Sequence, residues 1–381
     1  MRYQDTVFGG LMKAFPRWRF EALVRRHSAD RRVRRLPSWS QFLAMVYAQM
    51  LGARSLREVE AALERFPGSH AHLGLKPVRR STLADANRQR PVALFEDVFE
   101  ALVGQLSRSA AGWRGREMLR LIDATRIVVG KRIAHWQEDG CVKAHVVYDP
   151  QGDMPTCVAV TSVRVNDITP AKEFPIEAGA TYVFDKGYYD FGYWAALDAR
   201  GCHFVTRLKT HSPVAVIETR PVEAEGPVVA DCIGRLSKRV GGGRKNPYVK
   251  PVRLVTVVLD TGRQIVLVTN DLQAPAAQIA ALYKQRWQVE LFFKWVKQNL
   301  KIRHFLGMSE NAVRIQILTA LIAYLLLRMA QVATGTALSL QTVARLVAKT
   351  TFQRKPLAQL FDPHPDKPPN THQLEIRFAN G

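Results

Sequence analysis

Apolar residues in 279–301 (IAALYKQRWQVELFFKWVKQNLK) recur at helical spacing: Leu282, Val289, Phe293, Val296 and Leu300 form one stripe at about 100° per residue. Turned roughly 100° from it, Tyr283, Arg286, Glu290, Lys294, Lys297 and Lys301 share a second face. The pattern predicts one amphipathic helix that packs on one side. Its neighbouring face sets a lone carboxylate among cations, where a plain surface helix interleaves the two signs in weak i,i+4 pairs.

Elsewhere the period divides the chain. Residues 1 to about 115 read as helical, with Ser38 and Gln41, Ser55 and Glu58, and Thr82 and Asp85 resembling capping boxes ahead of apolar runs. From Glu117 the pattern alternates and becomes β-branched: 119–129, CVKAHVVYD and PTCVAVTSVRV read as strands, the last two around the turn Asp149-Pro150-Gln151-Gly152. A short apolar strand at 181–184, a helix at 193–198 and a strand at 202–209 follow. RLVTVVLD and RQIVLVTN predict a hairpin across Thr261-Gly262. After 305, apolar helices run to about 348 and a Pro-rich tail begins at Asp362. The most apolar segment, 315–327, contains Gln316 and is too short to span a bilayer, so it reads as a buried helix.

Charge narrows the class. The chain of 381 residues carries a net +22, and 47% of it is hydrophobic, which makes it a globular protein whose field favours polyanions, nucleic acid first. The basic excess is spread over the whole chain, which disfavours a membrane-surface role. Arg25, Arg26, Arg31, Arg32, Arg34 and Arg35 form a basic patch suited to a phosphate backbone. Arg79, Arg80, Arg88 and Arg90 surround the last helix of a helix-loop-helix across 67–80, which suggests a DNA-binding helical domain. A packing domain with surface arginines fits the same pattern. His70 and His72 have no third ligand nearby and read as loop residues. Cys141, Cys157, Cys202 and Cys232 form no CxxC pair, and residues 1–20 lack the layout of a signal peptide, so a cytoplasmic protein with reduced thiols is expected. Gly241–Gly243 lacks the Lys-Ser/Thr ending of a phosphate loop.

Two aspartates stand where ligand-binding acids are placed: Asp123 within the first strand, and Asp185 directly after the strand 181–184. A helix-capping role for Asp185 is the alternative. Asp149 and Asp153 read as turn residues, and Asp167 as a helix cap with a minor claim on the site.

The spacing Tyr283-x2-Arg286-x3-Glu290-x6-Lys297 resembles the Tyr-Arg-Glu-Lys signature of the IS-four family of bacterial insertion-sequence transposases. Asp185-x-Gly187-Tyr188 resembles that family's second acidic motif, and the strand with Asp123 its first. The resemblance implies an α/β chain with a ribonuclease H-like catalytic core interrupted by a β-rich insertion. It implies a helical N-terminal DNA-binding domain (1–115), the first part of the core (116–209), the insertion (210–275), a last core helix carrying Glu290 (276–305), and C-terminal helices with a tail (306–381). It further implies that Asp123, Asp185 and Glu290 are the catalytic, metal-holding triad. One departure concerns the insertion, which has no Trp and Tyr248 as its only aromatic. Relatives that form a DNA hairpin use such aromatics to hold an unstacked base.

Three packed acids repel one another unless cations occupy the site, so the triad reads as a metal site rather than an acid/base pair. Two Mg²⁺ ions, with Mn²⁺ as substitute, suit carboxylate oxygens and phosphodiester chemistry. Arg286 and Lys297 would clamp DNA phosphates, Tyr283 would stack or pack, and Lys294, Lys301, Arg31, Arg32, Arg34, Arg35, Arg79, Arg80 and Arg88 would add backbone contacts. The expected function is cleavage at the inverted-repeat ends of an insertion sequence and transfer of the 3′-OH into target DNA by a homodimer. The alternatives are a metal-dependent endonuclease or resolvase on the same fold, and a DNA-binding regulator with an idle core.

Overall fold

The alternating segments from Leu119 onward join one nine-stranded mixed sheet. In the computed structural model, residues 5–66, 68, 71–109, 118–133, 135–137, 139–223, 225–239, 243–300 and 304–362 are described. The strands are β1 (Leu119–Val128), β2 (Cys141–Asp149), β3 (Met154–Ser162), β4 (Thr181–Phe184), β5 (His203–Arg207), β6 (Val214–Arg220), β7 (Val228–Leu236), β8 (Val252–Val258) and β9 (Gln264–Thr269), in the spatial order β3-β2-β1-β4-β5-β9-β8-β7-β6. β4 runs parallel to β1 and to β5, whereas β2/β3 and every pair from β5/β9 to β6/β7 are antiparallel.

Two compact units divide the chain: one of 1–109, 128–140 and 294–381, the other of 110–127 and 141–293. The sheet belongs to the second. Its strands between 214 and 269 do not form a separate layer; β9 returns to pair with β5 and carries the hairpin partner β8 outward.

Behind β4 and β5 lies an aromatic core. The helix Phe191–Ala199 is capped by Asp190, whose side chain accepts from the Tyr193 amide at 2.8 Å. It presents fully buried Trp194 to Phe204, stacked at 4.7 Å, with Tyr248 edge-on to both. Tyr248, the lone aromatic of 210–275, is thus a core residue with 3% of its surface exposed. Asp149 accepts from the amides of Gln151 and Gly152, as a turn aspartate does.

In the helical unit, Glu310–Thr334 packs on Val92–Ser109 and Ser38–Leu51. It is 25 residues long, exceeding the expected 315–327, with Ser309 and Gly335 (φ 61°) as caps. Its length and composition would suffice to cross a membrane, but 72% of its most apolar window is buried, as in a core helix.

Only one of the three proposed capping boxes caps its helix. Ser55 accepts from the Glu58 amide at 3.2 Å. Ser38 is the first residue of its own helix, its hydroxyl and amide both bonding to Asp30, and Thr82 lies inside the helix Arg80–Gln89 and donates to the Arg79 carbonyl. Arg90 is buried and donates to Ser38 and the Leu36 carbonyl, which removes it from the surface arginines. The helix expected over 279–301 is two helices, Ala276–Gln285 and Trp287–Asn299, parted by a turn at Arg286. There the Arg286 amide reaches Tyr283 and the Val289 amide reaches Arg286, three residues back in each case, which tightens the backbone between them.

Candidate active site

Register brings the first two acids together. Ile122 pairs with Phe184 at the end of the parallel β1/β4 ladder, so Asp123 and Asp185 each follow the last paired residue of adjacent strands. Strands so paired lie about 4.8 Å apart, which sets the two carboxylates side by side at one end of the sheet. On the far side of β4, Val183 pairs with Val205, so Arg207 stands level with Asp185.

Each acid is held by its own backbone. Asp123 Oδ1 accepts from the Ala124 amide at 2.8 Å. Asp185 begins a short 3₁₀ turn and its Oδ1 accepts from the Gly187 amide at 2.7 Å, while Thr206 Oγ1 donates to its carbonyl at 3.2 Å. A side chain at Gly187 would put its Cβ 2.9 Å from Asp185 Oδ1 and 3.1 Å from Asp167 Oδ2. The glycine therefore leaves room for two carboxylates, and its backbone conformation does not otherwise require it.

The third acid arrives from the helix Trp287–Asn299. Glu290 sits in its first turn, and Arg286 just before it donates from Nη2 to Glu290 Oε1 at 2.6 Å. The same guanidinium holds Nη1 3.7 Å from Asp123 Oδ2. Burial works against the charge on Arg286, yet the bond to Glu290 and the fields of Glu290 and Asp123 raise its pKa. Tyr283 lies between two arginines, with Arg207 and Arg286 each 6.0 Å from its ring centre. Burial pushes its phenol up, and both arginines oppose the shift.

Asp123 is pushed up to about 6. Burial is the main cause, Asp185 and Glu290 add repulsion, and the Ala124 amide and Arg286 pull the other way.

Asp167, read from the sequence as a helix cap with a minor claim on the site, lies in the same neighbourhood. It makes no side-chain cap; Lys143 Nζ donates to its Oδ1 at 2.7 Å, and its Oδ2 faces Gly187. Buried Tyr188 lies in the field of Asp123, Asp167 and Asp185, which with burial raises its phenol far above the ordinary range. The sequence left Asp167 only a minor claim on the site, because its partner Lys143 is 24 residues away on β2.

The other expected nucleic-acid contacts are distributed differently. Lys294 is exposed and Lys297 half-buried further along the helix of Glu290, and Lys301 lies outside the described residues. In the helical unit Arg31, Arg32, Arg34, Arg35 and Arg80 are exposed. Arg79 is engaged with Glu64 and Glu60, and Arg88 with Asp85 at 2.6 Å, so acids partly neutralise both.

The donor set suits a hard divalent cation: carboxylate oxygens from Asp123, Asp185 and Glu290, with mutual repulsion evident at Asp123. Among the described residues no three acidic, His or Cys groups stand at ligand distance of one point, and the Arg286 guanidinium lies between Asp123 and Glu290. The residue types fit a metal, and Arg286 supplies the positive charge between two of them.

Residues 114–326, which contain all three acids, match the family model described as a transposase DDE domain. The chain belongs to the DDE transposase family. A second model, a domain of unknown function, matches residues 3–76 of this family member. The chain is 43% identical over 330 residues to a putative transposase, y4zB, of Sinorhizobium fredii, covering 83% of this chain and 90% of the relative. It is 30% identical to the probable transposase for insertion sequence element IS5377 of Geobacillus stearothermophilus, covering 67% of this chain and 68% of the relative. Against the putative transposase for insertion sequence element IS4SA of Synechocystis it is 24% identical, covering 65% and 71%. The last two relatives are named for insertion sequence elements, in keeping with the signature around Glu290.

Proposed function

We propose that this transposase cuts DNA at the inverted-repeat ends of its own insertion sequence and joins the freed 3′-OH ends to target DNA, with Asp123, Asp185 and Glu290 as its catalytic acids. The observation that carries the reading is the β1/β4 register, which sets Asp123 beside Asp185, together with the Arg286 guanidinium that ties Glu290 to them. A ribonuclease H-like core is supported by the order β3-β2-β1-β4-β5, with three parallel strands beside an antiparallel pair.

Asp123, Asp185 and Glu290 would hold two Mg²⁺ ions, which when bound stabilise the entering and leaving oxygens of a phosphodiester. The chain's own groups do the rest. The amides of Ala124 and Gly187 fix one oxygen of Asp123 and Asp185, which leaves the other turned to the ligand. Arg286 would donate to a non-bridging phosphate oxygen near the cut. Lys297 and Lys294 extend that contact along the helix, and Tyr283 packs Arg286 in place. Exposed Arg31, Arg32, Arg34, Arg35 and Arg80 grip the phosphate backbone in the cytoplasm, with Arg79, Arg88 and Lys301 as further contacts, and two copies bridge the two ends of the element.

The test is a labelled duplex carrying the DNA that flanks the gene, incubated with Mg²⁺ and a supercoiled plasmid, beside Glu290→Gln. Cutting at a fixed position and joining to the plasmid by the wild type, with binding alone by the variant, supports the reading. Cutting without joining assigns the chain to metal-dependent nucleases, and binding without cutting by either protein assigns it to regulators.

A further inference from the structure

A second cluster of charge lies beside the acids, in the same unit. Lys186, Arg207, Lys209 and Arg263 line a depression of about 310 Å³, together with Thr210, Gln264 and the ends of β5 and β9. No carboxylate lines it, and among the described residues none of the four cations forms an ion pair. Three other basic side chains of this unit are paired with acids: Lys172 with Asp190 at 2.8 Å, Lys250 with Asp198 at 2.5 Å and Arg220 with Glu218 at 2.8 Å. Arg207 Nε is buried with no hydrogen-bond partner, and Lys209 Nζ rests 4.9 Å from the Tyr189 ring centre. Four unneutralised cations around one depression repel one another until an anion enters.

Register fixes which anion reaches them. Arg207 is level with Asp185 across β4/β5 and pairs with Leu267 of β9. β9 runs antiparallel to β5, so Arg263 lies four residues beyond that level, away from the sheet. At roughly 3.3 Å per residue, the cations extend about 13 Å outward from the row of acids. One strand of a duplex advances about 3.4 Å of axis per nucleotide, so the track spans roughly four phosphates.

We infer that Lys186, Arg207, Lys209 and Arg263 form a phosphate track that holds one strand of a DNA duplex as it leaves the catalytic acids. This rests on the transposase reading for the identity of the polyanion. Sequence-independent phosphate contacts set register and affinity and carry no base specificity.

The experiment measures binding, in a Glu290→Gln background that does not cut, of a fluorescent duplex across a salt series. Lys209→Ala/Arg263→Ala is compared with Lys172→Ala/Lys250→Ala, which changes the net charge equally at paired sites. The track predicts that the first pair weakens binding about tenfold at 0.1 M salt and reduces the salt slope by about 1.8, for two lost contacts at about 0.9 each. The control pair should leave the slope unchanged, and circular dichroism should show both variants folded. Equal losses in the two variants would overturn the track while leaving the transposase reading intact. Absence of duplex binding by the parent protein would overturn both.

Discussion

The Arg286 guanidinium donates to Glu290 Oε1 at 2.6 Å, across one helical turn that the break at Arg286 makes unusually tight. The same group approaches Asp123 at 3.7 Å, so one arginine serves two members of the triad. A divalent cation and this guanidinium therefore compete for the same carboxylates. Arg286→Gln is expected to bind Mn²⁺ more tightly than the wild type, by a few fold, while cutting DNA about 10²-fold more slowly for want of a phosphate donor. Electron paramagnetic resonance of free Mn²⁺ and a cleavage assay give the two numbers. A loss of both would mean that Arg286 only supports the fold.

Asp123 makes a pH-dependent contribution of known sign. Its folded pKa of about 6 lies above the unfolded value of about 3.9, so protonation favours the folded form. The carboxylate thus destabilises the metal-free protein fully above about pH 6 and not at all below about pH 4, by at most about 2–3 kcal/mol. His145 acts in the opposite sense: burial lowers it to about 4, so its stabilising neutral form is lost as pH falls from about 6.5 to 4. Asp123→Asn should raise the urea midpoint at pH 7.5 in chelator, and this gain should shrink toward pH 4. With the offset at Asp123 gone, the variant should also lose stability more steeply on acidification. No gain at pH 7.5 would contradict the burial of that charge.

Gly187 offers a steric test. A methyl group there meets Asp185 Oδ1 at 2.9 Å and Asp167 Oδ2 at 3.1 Å, both carboxylates and neither able to retreat without losing its own hydrogen bond. Gly187→Ala is expected to lower cutting by about tenfold or more with a thermal midpoint within a few degrees of the wild type. Unchanged cutting would show that the position of Asp185 is not critical.

The sheet extension contains one costly element. Arg253 on β8 and Asp231 on β7 are each about 4% exposed and joined by two bonds, at 2.8 and 2.7 Å. Arg253→Leu leaves Asp231 buried alone and should destabilise by about 3–5 kcal/mol, whereas Arg253→Leu/Asp231→Leu should cost much less. Chemical denaturation measures both.

The sequence made much of this legible because its signals are local. Alternation marked β1 to β3, a short apolar run marked β4, and the acid directly after it marked Asp185, whose turn the structure closes on Gly187. What was illegible is non-local. Nothing near Asp167 announces Lys143, and nothing in 279–301 announces the break at Arg286, since the helical stripe continues through it. Arg90 read as one more surface cation because its acceptors, Ser38 and the Leu36 carbonyl, lie over 50 residues away. Capping letters failed at Ser38 because its amide and hydroxyl are taken by Asp30, and at Thr82 because the helix begins two residues earlier, at Arg80.

The central claim is that three carboxylates act as one site. Its most direct test is the Mg²⁺-dependent rate of cutting of an element-end duplex by Asp123→Asn, Asp185→Asn, Glu290→Gln and the triple variant, with duplex affinity measured in parallel. Groups that act as a unit are strongly non-additive, so each single variant should lose about three orders of magnitude or more and the triple no further amount. Affinity should stay within a few fold throughout. A single variant that cuts within about tenfold of the wild type would remove that residue from the site and contradict the account.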